Sequence, residues 1–275
     1  MKLAWWVLGL AACSGGHAAP SPSVSASASL RLVEDGQPAR TWTLADLQHA
    51  SPAAKITVFD PYYQRRKTFS AMPLGPILAA AFPSRKLASE DLVLRATDGY
   101  AVPIRGDRLL EGGAYLAFRD EEVPGWEPIG PQHAHPGPFY LIWSGAQQTD
   151  LTTHPRPWAL GSIEVVPFAK SYPHVAPLVA ETHAQRGFGL FREHCLKCHA
   201  INREGGHVGP DLSLPHNIVE YRPEAEIRRY IRNPLAFRYG NMPPHPDLTD
   251  GDLDDLIAYL RAKSREKYDP ADGKK

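Results

Sequence analysis

The stretch Cys195-Leu196-Lys197-Cys198-His199 decides how the C-terminal part of this chain is interpreted. Two cysteines three positions apart lie about one helical turn apart, so both thiols can reach the two vinyl groups on one edge of a porphyrin. The histidine that follows can bring its imidazole to the iron from the proximal side. The C-x-x-C-H run therefore predicts covalent attachment of one c-type haem through Cys195 and Cys198, with His199 as an axial ligand.

Three other interpretations of this motif are a redox-active cysteine pair, half of a zinc site and an ordinary disulfide. A thioredoxin-like pair is expected in a βαβ setting, which the sequence around Cys195 lacks. A zinc site of the usual kind needs a second pair of ligands, and no cysteine follows Cys198. The motif and its context together favour haem.

Length and composition indicate more than a single small cytochrome. The chain has 275 residues, 43% of them hydrophobic, which is enough for two ordinary domains. Its formal net charge is zero, so no general attraction to nucleic acid is expected. The 3 cysteines are Cys13, Cys195 and Cys198. None is left for a structural disulfide if two hold haem and one belongs to a leader.

Residues 1–13 resemble an export signal. The apolar run Leu3–Ala12 is shorter than the ~20 residues that a permanent membrane-spanning helix needs. The boundary Leu10-Ala11-Ala12-Cys13 resembles the lipobox of bacterial lipoproteins, in which the cysteine is lipidated after cleavage. We favour lipidation of Cys13 over simple cleavage near Gly16-His17-Ala18, because a lone cysteine at this boundary otherwise lacks a role. Several acyl chains would anchor a periplasmic protein to a membrane surface.

Residues 14–29 are rich in Ser, Ala and Pro and are predicted to form a flexible linker. A first folded domain is predicted over residues 30–168. Short β-branched and aromatic runs separated by Gly, Pro and Asp predict short strands there. Thr43 with Asp46 predicts a capping box before one helix, and an apolar helix is expected over 74–82. The pattern is typical of an α+β or mostly-β domain. The strand candidates are Leu30–Val33, Arg40–Trp42, Lys55–Phe59, Leu92–Arg95, Ala114–Phe118, Phe139–Trp143 and Ile163–Val166.

Several short motifs of this domain follow one another in a familiar order. They are Phe69 with Pro73-Leu74, then Ala96–Tyr100, Ala114–Ala117, Gly137–Leu141 and Gly161–Val165. The order resembles the molybdopterin-binding fold of sulfite-oxidase-type oxidoreductases. In that family a cysteine thiolate usually ligates molybdenum, and residues 30–168 contain no cysteine. The resemblance therefore implies a scaffold or partner-docking domain without molybdopterin.

Two other features of this region invite a binding interpretation. The histidines His133, His135, His154 and His174 have no acidic residue at a telling spacing, so we interpret them as solvated loop residues rather than metal ligands. The stretch 60–67 is basic and aromatic. We interpret it as a surface loop before a strand, with an anion-binding or partner-docking edge as the alternative.

Residues 169–177 are predicted as a linker, 178–265 as a second domain and 266–275 as a disordered tail. Gly187, Phe191 and Cys195 recur at fourfold spacing and share one helix face. A last helix is expected after the N-cap Thr249, with Asp252 at its third position and an apolar stripe behind it. The stripe consists of Leu253, Leu256, Ile257 and Leu260.

Together with the C-x-x-C-H run, these motifs resemble class I c-type cytochromes, which implies an all-α cytochrome c fold over essentially all of residues 180–265. In that family a small residue and an aromatic let the first and last helices cross closely. Gly209-Pro210-Asp211-Leu212 follows the haem motif at the family's usual distance. The resemblance implies that the Pro210 carbonyl accepts a hydrogen bond from His199 and so fixes its tautomer.

The sixth iron ligand is predicted from the few remaining candidates. The chain has 3 methionines, and Met242 is the one that follows Cys198. Two prolines after it can hold its thioether against the iron, and His/Met ligation raises the reduction potential. The rival ligands are His207, His216 and His245. A middle helix is expected over 223–232.

The sequence thus predicts a two-domain, exported electron-transfer protein rather than an enzyme. One covalent haem c, ligated by His199 and Met242, would carry one electron at a time through an exposed haem edge beside the cysteine thioethers. The expected partners are redox proteins of the bacterial cell envelope. One alternative is a haem-containing subunit of a periplasmic molybdo-oxidoreductase, whose N-terminal domain binds a cofactor or substrate. A second is a haem sensor with an open sixth position.

Overall fold

The structure is a computed structural model that describes residues 28–35, 37–238, 240, 242–269 and 271. Most strands lie in residues 28–167, which we call the sheet part, and the longest helices lie in residues 168–271, the helical part. The chain therefore has mixed sheet and helix content, as its sequence indicates. The division into two independent domains stays a prediction.

Two β-sheets organise the sheet part. Their strands are β1 (Ser29–Glu34), β2 (Arg40–Thr43), β3 (Ala54–Asp60), β4 (Arg65–Pro73), β5 (Asp91–Ala96), β6 (Ala101–Arg105), β7 (Ala114–Asp120), β8 (Tyr140–Trp143) and β9 (Leu160–Val165). The five-stranded sheet has the order β2-β1-β9-β5-β6, and the four-stranded sheet has the order β3-β4-β7-β8. Only β1 and β9 pair in parallel among these described neighbours.

The predicted strands are confirmed, and in β1 the alternation of side chains sorts them between core and surface. In β1, Leu30 and Leu32 are fully buried while Arg31 between them is exposed. They join Leu116 of β7 and Leu141 of β8 in one hydrophobic cluster, so the two sheets share a core.

Short helices connect the strands: α1 (Leu44–Ala50), α2 (Leu74–Ala81) and α3 (Gly106–Leu110). The predicted capping box before α1 is confirmed. The Thr43 hydroxyl accepts the Asp46 N–H at 3.3 Å, and the Asp46 carboxylate accepts the Thr43 N–H at 2.8 Å. These reciprocal bonds satisfy backbone donors that the first helical turn leaves unpaired.

The sequence pattern missed strand β4, because its first half is charged. Lys67 is completely buried and its ammonium lies 2.6 Å from both Asp120 Oδ2 and Glu127 Oε2. Arg65 pairs with Glu122 and Glu127. The predicted surface loop over residues 60–67 is therefore wrong from Arg65 onwards, and carboxylates of the chain already pair with two of the three cations that the anion-binding interpretation needs.

Five helices follow in the described residues of the helical part: α4 (Phe168–Ser171), α5 (Thr182–Leu190), α6 (Ile218–Tyr221), α7 (Glu224–Arg232) and α8 (Asp250–Arg265). A π-helix, Phe191–Cys195, extends α5, and a 3₁₀ helix spans Pro234–Ala236. Helices α7 and α8 confirm the predicted middle and last helices. The prediction of an all-α fold is wrong in one detail, since β10 (Ala200–Ile201) and β11 (Glu204–Gly205) form a small antiparallel hairpin.

Helices α5 and α8 cross at a glycine. A Cβ added to Gly187 would lie 1.9 Å from the Asp255 carbonyl oxygen and 2.8 Å from the Tyr259 Cβ. Phe191 is buried beside Tyr259, with ring centroids 5.1 Å apart. The small residue and the aromatic thus have the positions that helix crossing requires.

The segment predicted as a linker, 169–177, is packed against helix α8. Tyr172 and Val175 are buried in the same hydrophobic cluster as Leu256 of α8. The Tyr259 hydroxyl donates to the Val175 carbonyl at 2.8 Å. Val93 of β5 joins this cluster, so the cluster contains residues of both parts of the chain.

The predicted leader (1–13), its lipidation residue Cys13, and nearly all of the predicted flexible linker (14–29) lie outside the described residues. Over the described ranges, every helix falls short of the length and hydrophobicity that crossing a bilayer requires.

Candidate haem-attachment site

The two cysteines of the motif lie at the end of a helix that widens before it stops. The Leu196 N–H donates to the Phe191 carbonyl at 2.8 Å, a bond that spans five residues and defines the π-helix. The N–H groups of Cys198 and His199 then donate to the Cys195 carbonyl at 3.0 and 2.9 Å. A single tight turn thus holds the two thiols and the imidazole close together.

Both thiols are free and half-buried. Burial, with a smaller contribution from the neighbouring thiol, raises the pKa of Cys195 to about 12. Burial likewise raises the pKa of Cys198 to about 11. Redox-active cysteine pairs depend on a lowered pKa that supplies thiolate near neutral pH, so this environment disfavours the redox-pair interpretation.

The His199 ring is oriented by a single hydrogen bond. Its Nδ1 lies 2.8 Å from the Pro210 carbonyl oxygen. A carbonyl can only accept, so Nδ1 carries the proton and Nε2 keeps its lone pair. Burial lowers the pKa of His199, and the Pro210 bond opposes that shift. Nε2 makes no hydrogen bond within the described residues, which leaves it available to a metal ion.

Two glycines let the chain return closely around this turn. A Cβ added to Gly209 would lie 2.3 Å from His199 Cε1, and one added to Gly206 would lie 2.1 Å from the Lys197 carbonyl oxygen. Side chains at these positions would push Pro210 and the β10–β11 hairpin away from the motif. The glycines are therefore part of what places the Pro210 carbonyl opposite Nδ1.

Partly buried apolar side chains pack against the hydrophobic cluster that contains Leu196 of the attachment turn. They pack against the hydrophobic cluster of the helical part and include Leu212, Ile218, Val219, Ile231 and Cys195. Half-covered apolar side chains next to free thiols and an unpaired imidazole nitrogen fit a flat, apolar, iron-bearing group. Among the described residues, no cluster of three or more His, Cys, Asp or Glu side chains could hold a separate metal ion.

Met242 lies in an irregular segment between the 3₁₀ helix and α8, and it is half-buried. No hydrogen bond or ring contact joins it to His199 within the described residues. The structure thus brings together Cys195, Cys198, His199 and Pro210. The role of Met242 as the sixth ligand stays a prediction.

The rival histidines differ in their surroundings. His207 and His216 are exposed, and His216 lies 3.7 Å from Glu220. His245 is half-buried, with its ring 5.6 Å from that of His194. Burial, with the nearby positive groups of His194 and Lys197, lowers the pKa of His245 to about 4. His245 is therefore neutral at physiological pH and is the strongest structural rival to Met242.

The sheet part also contacts the attachment turn, through residues that the motif analysis did not assign to the site. The Ala101 N–H donates to the Lys197 carbonyl at 3.0 Å, and the His207 N–H donates to the Gly99 carbonyl at 2.7 Å. The turn signal Asp98-Gly99 is visible in the sequence, but its contact partner lies about a hundred residues away.

Comparisons with known proteins find a similarity for most of the helical part. Residues 184–264 match the cytochrome c family model. The chain is also 34% identical over 90 residues to cytochrome c oxidase subunit 2 of Alkalihalophilus pseudofirmus, a match that covers 30% of this chain. The chain spans about a quarter of the length of that curated relative, 26%.

The C-terminal region of this chain is therefore a cytochrome c domain. Such a domain implies a haem c cofactor and haem-based electron transfer. The resemblance of residues 30–168 to the molybdopterin-binding fold stays a prediction, as does the expected absence of molybdopterin.

Proposed function

We propose that this protein is an electron carrier of the bacterial cell envelope that holds one covalent haem c with His/Met ligation. The observation that carries the proposal is the geometry at the attachment turn: Cys195 and Cys198 are free thiols on one turn. His199 on the same turn is oriented by Pro210 with Nε2 unpaired. This turn lies inside the segment that matches the cytochrome c family model.

The residues of the chain have distinct roles in holding the group. Cys195 and Cys198 would bond to it through their sulfur atoms, and His199 Nε2 would ligate the iron. Haem supplies an iron that gains or loses one electron while keeping its ligands. The hydrogen bond from Nδ1 to the Pro210 carbonyl leaves Nε2 free to face the iron. The same bond makes the imidazole a better electron donor to the metal. No side chain needs to exchange a proton with a substrate.

We assign the sixth position to Met242 rather than His245. Two prolines restrict the backbone after Met242, and a thioether favours the reduced iron more than a second imidazole does. His245 donates its own backbone N–H to the Ile231 carbonyl at 3.1 Å, which ties it to the end of α7. The two candidates predict different potentials, so they are separable by experiment.

The cellular setting is proposed from the leader. Lipidation of Cys13 would place the protein on the periplasmic side of a membrane, with residues 14–29 as a tether. Redox proteins of the envelope are then the partners that a tethered one-electron carrier would reach. Replacing Cys13 by serine should release haem-containing protein from the membrane fraction if this assignment is right.

The decisive experiment is a pyridine haemochrome spectrum together with the intact mass of the exported protein, made alongside working haem-maturation machinery. We expect a covalently bound haem in the parent, altered linkage in Cys195→Ala and in Cys198→Ala, and no covalent haem in the double variant. Colourless parent protein would refute the proposal. Stoichiometric molybdenum in the same sample would instead favour an oxidoreductase subunit.

A further inference from the structure

One turn of the sheet part is hydrogen-bonded to the attachment turn and to the segment that follows it. The turn 97–100 passes through Gly99, whose φ of +96° favours glycine. It is followed by the Ala101 N–H, which donates to the Lys197 carbonyl, and the Gly99 carbonyl accepts from His207. A Cβ on Gly99 would lie 3.2 Å from the His207 Cβ, so the two segments of the chain are in close contact.

Asp98 holds this turn and a tryptophan at the same time. Its Oδ1 accepts the Tyr100 N–H at 2.9 Å, and its Oδ2 accepts the Trp158 Nε1–H at 2.9 Å. The Trp158 ring meets Tyr62 edge to face, with centroids 5.0 Å apart. We call Tyr62, Tyr100 and Trp158 the aromatic cover.

The aromatic cover lies beside the attachment turn, because Tyr100 precedes Ala101, whose N–H donates to the Lys197 carbonyl at 3.0 Å, one residue before Cys198. Burial is the main cause that raises the pKa of both Tyr62 and Tyr100, and the charge of a Cys198 thiolate would raise both further. Burial is also the main cause that raises the pKa of Cys198, and the negative charge of Asp98 raises it further. Tyr100 thus lies next to the attachment turn, and Trp158 is joined to this region through Asp98 and through the ring of Tyr62.

Other contacts fix the sheet part in this position. The Lys197 ammonium lies 3.5 Å from the Leu151 carbonyl oxygen. Val93 of β5 is fully buried in the hydrophobic cluster of the helical part. Buried apolar contact at Val93 and the backbone hydrogen bonds described above therefore hold the sheet part against the helical part at several places.

We propose that the aromatic cover closes the Cys198 side of the haem, so that this edge is shielded by the chain itself instead of being exposed. Asp98 is the positioning residue that holds the cover in place. The inference rests on the proposed function, because it requires haem at Cys198. It also changes the expected role of the sheet part, which becomes a fixed shield that limits solvent and reagent access.

The test uses the full-length holoprotein and two small one-electron oxidants, anionic ferricyanide and cationic tris(phenanthroline)cobalt(III). In each reaction the ferrous haem loses one electron and the oxidant gains it, with no bond or proton transferred. We expect Trp158→Ala to react several-fold faster with both reagents, since removal of the indole shortens their closest approach. Its midpoint potential should fall, because admitted water stabilises the more positively charged ferric form.

A matched control is available in the same cluster. Trp126 and Trp158 are both half-buried tryptophans that pack against the hydrophobic cluster of the four-stranded sheet. They differ in their ring contacts, since Trp126 packs on Phe69 and Trp158 packs on Tyr62. Trp126→Ala should leave both rates and the potential unchanged. Asp98→Asn should raise the rate of haem oxidation by both oxidants. A pure charge effect would instead raise the rate with one reagent and lower it with the other.

The outcomes separate the two proposals. Parent protein without haem would refute the proposed function and the shield with it. Haem-containing parent with the same rates and potential as Trp158→Ala would refute the shield alone. If Trp158→Ala does not accumulate, Trp158→Phe replaces it: it keeps a ring but loses the bond to Asp98. A rate equal to the parent's in both Trp158→Phe and Asp98→Asn would then overturn the inference.

Discussion

Replacing Gly187 by alanine should weaken the crossing of α5 and α8 and so destabilise the helical part. The new Cβ would lie 1.9 Å from the Asp255 carbonyl oxygen and 2.5 Å from its carbon. Both atoms belong to the backbone of a sixteen-residue helix, so no side-chain rotation can relieve the contact. The helices must move apart, which opens the packing around Tyr259.

The magnitude follows from two opposing effects. Overpacking a close-packed interior costs typically 1–3 kcal/mol, and a clash with backbone lies near the upper end, about 3 kcal/mol. Alanine gains roughly 0.5–1 kcal/mol over glycine within a helix. The net loss in the free energy of unfolding is therefore about 2 kcal/mol, which corresponds to a fall in Tm of roughly 4–8 °C for a protein of this size.

Gly189 provides the matched control within the same helix. A Cβ at Gly189 meets nothing within 4 Å, so Gly189→Ala should stabilise the protein by about 0.5–1 kcal/mol. Urea unfolding followed by far-UV circular dichroism measures both variants against the parent. Equal free energies for Gly187→Ala and Gly189→Ala would refute the reasoning about the helix crossing.

Three further predictions concern the iron, the pH dependence and a helix cap. Met242→Ala should lower the reduction potential and let the reduced protein bind carbon monoxide, because it removes the proposed thioether ligand. Hydrogen bonds, above all from Lys55, lower the pKa of Glu121 from 4.5 to about 2. The ionised Glu121 therefore stabilises the fold fully above about pH 4.5. This contribution is lost as the pH falls toward 2. Glu121→Gln should consequently show a smaller loss of stability over that range. Thr249→Ala should cost about 1 kcal/mol, because the Thr249 hydroxyl accepts the Asp252 N–H at 3.1 Å.

Each of these has its own control. His245→Ala should leave the potential and the carbon monoxide response unchanged, and the reverse pattern would assign the sixth position to His245. For the acid limb, Glu122→Gln should change the acid curve in the same direction, because a hydrogen bond from Arg65 also lowers the pKa of Glu122. Equal acid curves for Glu121→Gln and the parent would contradict the linkage. Thr249→Ser keeps the acceptor, so unfolding free energies of the alanine and serine variants should differ by most of the cap's contribution.

What the sequence determined by itself is local in the chain. Cys195, Cys198 and His199 lie on one turn because their spacing matches the helical period. The caps at Thr43 and Thr249 each connect residues three positions apart. Such features depend on neighbours along the chain, and an unfolded segment already contains all the groups that they need.

Only the tertiary structure decided the features that join distant residues. Lys67 is buried because Asp120 and Glu127 lie against it in the folded chain, and its sequence neighbours gave no sign of this. The aromatic cover is likewise assembled from distant segments, since Asp98 bonds both Tyr100 and Trp158, and the Trp158 ring packs on Tyr62. A buried charge or a shielded cofactor edge needs partners that only folding brings close, because desolvating a polar group is unfavourable until those partners compensate it.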